Sequence, residues 1–207
     1  MIWLLVDSSS VGGIERHVAT LAEALRIQGH DARIVLLARH GDNPWLRQLS
    51  DCGLAYTVLN GSLRGLVRRL RNDRPGLVHT HGYKANLLGR IAARGLGIPV
   101  VSTFHAGERA PFPVNVYQLA DEYTSFLGTR LCVSEAIQTS LPFGATLAKN
   151  FLIAPKVAPS ADLPRRIGFV GRLSHEKAPD LFCELARRHS GKLDATWHVW
   201  GDGPMRA

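Results

Sequence analysis

The sequence is poor in cysteine and has no long hydrophobic run. Its three cysteines, Cys52, Cys132 and Cys183, are odd in number and widely spaced, and none belongs to a CxxC pair. This pattern argues against a disulfide framework or a zinc knuckle and indicates a reducing compartment. No apolar run approaches the roughly 20 residues that a membrane-spanning helix needs. The opening MIWLLVDSSS lacks the basic residues of a signal peptide. We therefore expect a cytoplasmic protein whose first residues form a buried strand.

Acidic residues are fewer than basic ones. With 25 Lys and Arg against 17 Asp and Glu, the formal net charge is +8 at pH 7, which favours anionic partners such as nucleotides, nucleic acid or lipid headgroups. The segment SLRGLVRRLRNDR places Arg64, Arg68 and Arg71 beside leucines with helical spacing. Such a helix either covers a sheet with its arginines in solvent or makes peripheral contact with the inner face of an anionic membrane. No aromatic residues alternate with these arginines, so nucleic acid is not expected as a partner.

Short apolar runs alternate with helical patterns along most of the chain. Apolar residues recur with helical spacing between Ile14 and Leu25, and residues 85–93 carry a second such pattern. This alternation predicts an α/β fold with a Rossmann-like, doubly wound parallel sheet. The predicted strands are Ile2–Val6, Ala32–Leu37, Ala55–Leu59, Leu77–Thr80, Val100–Thr103 and Arg130–Val133.

Three prolines, at positions 155, 159 and 164, interrupt this alternation. Proline at this density, together with Ser and Asp, is typical of an interdomain linker. The sequence thus predicts a first domain over residues 1–153, a linker over 154–165 and a second unit over 166–207.

The second unit begins the same pattern again. Its predicted elements are the strand Arg166–Val170, the helix Pro179–His189 and the strand Thr196–Trp200. About 40 residues are too few to close a doubly wound domain. We therefore expect an incomplete second Rossmann-like unit that exposes the apolar residues of its helix and can self-associate.

Glycines and polar residues follow the ends of several predicted strands. Gly12 and Gly13 join the first strand to the first helix, where they form either an ordinary tight turn or a close approach to a ligand. His79 and His81 share one face of a strand, but no third ligand is evident nearby, and we expect no metal site. His81 and His105 end neighbouring strands, at the edge where open α/β sheets bind ligands, although each could instead be a structural histidine.

Two cations stand between a strand and a helix of the second unit. In GFVGRLSHEKAPDL, Arg172 and Lys177 precede a helix N-terminus, whose dipole already attracts anions. The pattern favours a diphosphate held by both side chains and backbone amides. The alternative is a surface loop whose ion pairs contribute little.

The order of these motifs resembles the retaining glycosyltransferases of family 4, which are two-domain enzymes of the GT-B fold. GGIE follows the first strand, HTHG and TFH end later strands, and GRLSHEKAPDL and GDGP follow the proline-rich segment. The resemblance implies transfer of a sugar, with retention, from a nucleotide sugar to a glycan or lipid-linked acceptor. It implies no metal and no cofactor besides the nucleotide-sugar substrate.

The resemblance also implies residue roles, with the donor bound mainly by the second unit and the acceptor mainly by the first. His105, Arg172 and Lys177 would be catalytic, with His105 facing the transferred sugar and the two cations holding the departing diphosphate. The implied donor-binding residues are Gly12, Gly13, Gly171, Arg172, Lys177, Gly201 and Gly203. The implied acceptor-binding residues are Glu15, His81, Tyr83 and Lys84.

The sequence departs from the family pattern at two points. Ala178 stands where the family usually has glycine, and the family's pair of donor-binding glutamates has no counterpart before Ala207. We therefore expect the 207-residue chain by itself to be inactive. The alternative function is a non-catalytic module that binds a glycan or a protein partner.

Overall fold

The computed structural model describes residues 1–105, 112, 114–152 and 165–206. The chain divides into two compact units, Met1–Ala154 and Pro155–Ala207. The predicted linker, residues 154–165, lies almost entirely outside the described residues. Within the described ranges, no helix is both long enough and apolar enough to cross a membrane.

A seven-stranded parallel sheet forms the centre of the first unit and confirms the predicted α/β class. Its strands are β1 (Ile2–Val6), β2 (Ala32–Leu36), β3 (Tyr56–Val58), β4 (Leu77–His81), β5 (Val100–Phe104), β6 (Thr129–Cys132) and β7 (Thr146–Leu147). They lie in the order β3-β2-β1-β4-β5-β6-β7, and every neighbouring pair is parallel. The predicted strands agree with β1 to β6 within one residue at each end. β7 was not predicted, because two residues carry no recognisable apolar run.

Helices cover both faces of this sheet. They are α1 (Gly13–Ile27), α2 (Pro44–Asp51), α3 (Leu63–Asp73), α4 (Tyr83–Gly95), α5 (Val114–Tyr123) and α6 (Glu135–Ser140). α1 and α2 bury Val18 and Leu49 against one face, in a cluster with Leu4 of β1. α3 and α4 pack on the other face, where Leu66 joins a second cluster with Leu5. Alternate residues of one strand thus enter different cores, as the period of two in a strand requires.

A buried ion pair joins α4 to α5. Arg90 of α4 is fully buried, and its guanidinium donates to the carboxylate of Asp121 on α5 and to the hydroxyl of Ser102 on β5, the latter at 3.0 Å. The Asn86 amide also donates to Asp121, at 3.0 Å. Burial raises the pKa of Asp121 to about 6, although Arg90 and Asn86 favour its charged form. The carboxylate is therefore ionised at neutral pH, and the pair holds α5 against α4.

The second unit contains one β-α-β motif with the predicted boundaries. Its elements are β8 (Arg166–Val170), a short 3₁₀ helix (His175–Lys177), α7 (Pro179–His189) and β9 (Thr196–Trp200), and the two strands pair in parallel. Phe182 of α7 packs its ring 5.8 Å from that of Phe169 and 5.7 Å from that of Trp197. Leu181 and Leu185 of the same helix are 68% and 47% exposed. Part of the helix's apolar surface is therefore exposed, as expected, and self-association stays a prediction.

Ala178 takes a backbone conformation that favours glycine. It lies between the 3₁₀ helix and α7 with φ 48° and ψ 53°, in the left-handed region. A side chain in that region costs roughly 1–2 kcal/mol, because its Cβ approaches the following carbonyl. This is the physical reason for a glycine at this position in the family pattern. The alanine preserves the turn and strains it.

We expect Arg90→Met to destabilise the first unit by about 3–5 kcal/mol, because it leaves the Asp121 carboxylate buried without its charged partner. Urea unfolding of the variant would measure the loss as a lower midpoint. The matched control is Arg47→Met, because Arg47 pairs with Asp42 at 2.9 Å but is 76% exposed. That variant should lose no more than about 1 kcal/mol. Equal losses in the two variants would contradict a special role for the buried pair.

We expect Ala178→Gly to stabilise the second unit by about 0.5–1 kcal/mol, since relief of the left-handed strain exceeds the entropy that glycine loses on folding. Native-state hydrogen exchange of the α7 amides measures this change locally. Ala186→Gly, in the middle of the same helix, is the opposite control and should destabilise it by about 1 kcal/mol. Slower exchange in the control, or faster exchange in Ala178→Gly, would contradict the strain at residue 178.

Candidate functional site

The order of the strands reverses between β1 and β4. The helices that follow these two strands, α1 and α4, therefore cover opposite faces of the sheet. In open parallel sheets this reversal leaves a crevice beyond the carboxyl ends of the strands, and ligands bind there. Seven polar side chains meet at this edge, and we call them the switch-point crevice: Asp7, His17, His40, His79, His81, Lys84 and His105.

A three-residue charge cluster forms one part of the crevice. The Asp7 carboxylate, just after β1, accepts a hydrogen bond from Lys84 Nζ at 2.8 Å through one oxygen. Its other oxygen lies 2.7 Å from Nε2 of His40, which follows β2. The side chains of Asp7, Lys84 and His40 are 16%, 31% and 38% exposed, so the cluster is partly open to solvent. It can therefore offer a hydroxyl-rich ligand both a carboxylate acceptor and an ammonium donor.

Four histidines form the other part. His79 and His81 share a face of β4, as predicted, with ring centroids 4.2 Å apart. His81 Nδ1 lies 3.1 Å from His105 Nε2 at the end of β5, and His79 Nε2 lies 2.7 Å from the Thr103 hydroxyl. His17 enters from α1, with its ring centroid 4.8 Å from that of His105 and 5.5 Å from that of His81.

Burial keeps these imidazoles uncharged. It lowers the pKa of His79 to about 4 and that of His105 to about 3, and neighbouring histidines lower both further. The pKa of the fully buried His81 lies well below its ordinary value for the same reasons. Burial also lowers the pKa of His17, against a hydrogen bond to Asn150. At neutral pH each ring of the cluster is therefore neutral and carries one N–H and one nitrogen lone pair.

The structure corrects one sequence-based expectation. We expected no third ligand near His79 and His81, yet His17, His81 and His105 each place one nitrogen within 4.8 Å of the others. His17 was not predicted as a site residue, and neither was Asp7. The available signal was their position in the sequence. Asp7 directly follows β1, and His17 lies on α1, the helix that follows β1.

The other first-unit residues proposed from the sequence lie around the same edge. Gly12 precedes α1 in an extended conformation, and a Cβ on Gly13 would meet no atom within 4 Å. The N-cap residue of α1, Gly12, supplies no side-chain hydrogen bond, and a Cβ on Gly12 would lie 2.9 Å from the Glu15 carboxylate. Tyr83 begins α4 and is 37% exposed, with its ring 6.5 Å from that of Tyr117. These residues can contact a ligand, and their roles stay predictions.

Arg172 and Lys177, the two basic residues predicted to hold a diphosphate, are accessible to a ligand. Arg172 is 69% exposed, and its guanidinium is 4.0 Å from the Glu176 carboxylate, the limit of an ion pair. Lys177 is exposed and forms no ion pair within the described part of the chain. Both side chains lie between the end of β8 and the start of α7. This is the placement that the diphosphate interpretation requires.

Gly201 and Gly203 have a packing reason for lacking a side chain. A Cβ on Gly201 would lie 1.9 Å from the carbonyl oxygen of Gly171, and a Cβ on Gly203 would lie 2.3 Å from that of Leu173. Backbone hydrogen bonds join the same two loops, from Gly171 N to the Trp200 carbonyl and from Leu173 N to the Asp202 carbonyl, both at 3.0 Å. The GDGP motif thus supports the loop that carries Arg172, and its implied contact with the donor stays a prediction.

Comparison with known sequences identifies the first unit. The profile of Glycosyltransferase Family 4 matches residues 11–142, more than half of the chain. A curated relative, the UDP-Gal:alpha-D-GlcNAc-diphosphoundecaprenol alpha-1,3-galactosyltransferase of Escherichia coli, is 29% identical over a match that covers 70% of this chain. That match covers 45% of the relative, so the chain spans less than half of its length.

Solved structures show the same fold. Anabaena Alr3699/HepE in complex with UDP and glucose has a TM-score of 0.69 and 20% identity, covering 98% of this chain and 61% of that one. The apo form of the lipopolysaccharide outer core galactosyltransferase WaaB has a TM-score of 0.65 and 14% identity, covering 97% and 68%. These TM-scores establish similarity of fold, while the profile match establishes membership of the family. The chain belongs to Glycosyltransferase Family 4.

Proposed function

We propose that the protein is a retaining glycosyltransferase that transfers a sugar from a nucleotide-sugar donor to a glycan or lipid-linked acceptor. The observation that carries this proposal is the family match over residues 11–142, which includes most of the switch-point crevice. Because the chain covers less than half of its curated relative, the activity of the whole protein is a proposal.

The second unit would bind the donor diphosphate. The exposed Arg172 and Lys177 carry two positive charges beside the N-terminus of α7, and a diphosphate gains negative charge on its leaving oxygen as the sugar departs. Cations placed there stabilise the transition state more than the ground state. UDP is bound in the HepE structure and is part of the donor named for the E. coli relative. A UDP-sugar is therefore the first donor to test.

The first unit would meet the acceptor and the transferred sugar. Neutral imidazoles can donate or accept hydrogen bonds with sugar hydroxyls without attracting a counterion, which suits the partly buried His105. The fully buried His81 would act through its contact with His105, 3.1 Å away. Lys84 keeps an ammonium in the partly open cluster with Asp7 and could contact an acceptor phosphate. The acceptor named for the E. coli relative is lipid-linked through a diphosphate, a chemistry that this edge can accommodate.

Donor binding would not need Mg²⁺ or Mn²⁺. These ions prefer carboxylate and other oxygen ligands. In the described residues, the one group of three or more candidate ligands consists of histidines only. The basic loop of the second unit would instead neutralise the diphosphate.

The test uses a longer chain that completes the second unit, and it measures transfer of labelled sugar from a panel of nucleotide sugars to a lipid-diphosphate-linked acceptor, with and without a chelator. We expect transfer that needs no added Mg²⁺ or Mn²⁺. Arg172→Ala combined with Lys177→Ala should lower kcat by about 100-fold or more, with a smaller effect on the acceptor KM. The matched control is Arg187→Ala with Arg188→Ala, since these two exposed arginines pair with Glu184 on α7. Near-normal turnover in the first double variant, or a strict Mg²⁺ requirement, would contradict the proposal.

We also propose that α3 makes peripheral contact with an anionic membrane. Arg64, Arg68 and Arg71 are exposed and form no ion pair with any described residue, whereas Arg69 of the same helix pairs with Asp73 at 2.9 Å. The neighbouring helices on this face also expose apolar side chains, namely Ile91 of α4 and Val116, Leu119 and Tyr123 of α5. Unpaired cations beside exposed apolar groups are typical of a surface that binds lipid headgroups.

Vesicle co-sedimentation tests this surface. Replacing Arg64, Arg68 and Arg71 with Ala should weaken binding to phosphatidylglycerol vesicles by roughly 100-fold, at about 1 kcal/mol for each arginine near the surface. The control replaces Arg26, Arg39 and Arg47, which are exposed and follow or belong to elements other than α3. It removes the same charge and should change binding little. Equal loss in both triple variants would show that net charge, and not the α3 surface, determines binding.

A further inference from the structure

We propose that His17, His81 and His105 form a binding site for a transition-metal ion of the Zn²⁺ class, with one coordination position left open. This site is separate from any cation on the donor diphosphate. It rests on the packing of three histidines, namely His17 on α1, His81 at the end of β4 and His105 one residue after β5. None of it depends on sugar transfer.

The distances between the three rings suit one small ion. A tetrahedral ion with metal–nitrogen bonds of about 2.0–2.1 Å holds its nitrogen ligands about 3.3–3.4 Å apart. His81 Nδ1 and His105 Nε2 are already 3.1 Å apart. One nitrogen of each of the three rings lies within 4.8 Å of the others. The longest of these nitrogen–nitrogen distances must therefore shorten by about 1.4 Å, which a ring rotation of the partly buried His17 can supply.

Two nitrogens of these rings are buried without a partner. His81 is 0% exposed, and its Nε2 has no hydrogen-bond partner among the described residues. The same holds for His17 Nδ1. Buried polar atoms are paired in nearly all native structures, because an unpaired one loses its hydration and gains nothing. An ion bound at His17 Nδ1 would give that atom a partner. His81 would coordinate through Nδ1, which faces His105, and keep its proton on Nε2.

The surroundings would hold the ligands in place. His17 is hydrogen-bonded to Asn150, the kind of outer contact that orients a metal-binding imidazole. His81 and His105 lie at the ends of paired central strands, and His79, in contact with His81, is fixed by Thr103. Ligands on strands and helices are positioned more accurately than ligands on loops.

The ligand set selects the kind of metal. Three imidazoles suit Zn²⁺, Co²⁺, Ni²⁺ and Cu²⁺, whereas Mg²⁺ and Mn²⁺ favour oxygen ligands. Three histidines with a vacant fourth position are also the ligand set of catalytic zinc sites.

The test is titration of the chelator-treated 207-residue protein with Co²⁺, followed by visible absorption. We expect the strong absorption of tetrahedral cobalt to saturate at one equivalent. One equivalent of Zn²⁺ should abolish it, and excess Mg²⁺ should leave it unchanged. The measurement needs no substrate, so its result is independent of the proposed transferase activity.

Single substitutions assign the site. His17→Gln, His81→Gln and His105→Gln should each weaken Co²⁺ binding by more than about 100-fold, since loss of an outer partner alone costs about 10–100-fold. The matched control is His40→Gln, which removes a partly buried imidazole whose hydrogen bond goes to Asp7 and which should retain tetrahedral binding. His17 and His105 are only partly buried, so these two variants decide the question if His81→Gln does not fold.

Three results would overturn the proposal. One is the absence of Co²⁺ binding at neutral pH. Another is a weak octahedral spectrum, typical of adventitious binding to exposed side chains such as His30 or Cys52. The third is tetrahedral binding that survives both His17→Gln and His105→Gln. Any of these would mean that the rings form an imidazole hydrogen-bonded cluster without metal.

Discussion

The reversal of strand order between β1 and β4 is the constraint on which the candidate site depends. Crossovers between parallel strands are right-handed, so strands added on either side of β1 send their helices to opposite faces of the sheet. The helices α1 and α4 do not fill the space beyond β1 and β4, because they lead away from it on different sides. His17 on α1 and Lys84 on α4 can therefore reach groups at the ends of the strands, although 77 residues separate Lys84 from Asp7.

The switch-point crevice is stabilised by apolar packing and an ion pair elsewhere in the first unit. The two hydrophobic clusters bury alternate residues of β1 on opposite faces, so the central strand is fixed from both sides. The Arg90–Asp121 pair fixes α5 against α4 and reaches Ser102 on β5, the strand that ends one residue before His105. A site that holds four uncharged histidines gains little stability from them. It needs a scaffold whose positions are set by other contacts.

The sequence was sufficient to predict elements whose signal is local. β1, β8, α7 and β9 were predicted with the observed boundaries, since each is an apolar run or a periodic pattern with a polar residue, glycine or proline at its boundary. What the sequence could not predict also has a physical reason. His17 is one histidine on an amphipathic helix, and nothing in its neighbourhood in the sequence indicates that His81 and His105 lie beside it. Gly201 and Gly203 were predicted as donor-binding residues, but their close approach to the backbone of Gly171 and Leu173 appears only when two loops of the second unit are seen together.

The proposed metal site and the proposed contact with the transferred sugar both use His105, and the geometry assigns them different nitrogens of its ring. His105 Nε2 faces His81 at 3.1 Å, so a metal ion shared with His81 would use that atom. A sugar hydroxyl would then have to meet Nδ1. Coordination at Nε2 fixes the tautomer of a neutral imidazole and leaves its proton on Nδ1. A metal in the histidine cluster would therefore turn His105 into an obligatory hydrogen-bond donor of fixed orientation, which is compatible with recognition of a sugar oxygen. Without the metal, the same ring can place its proton on either nitrogen, and among the described residues the contact with His81 biases the choice.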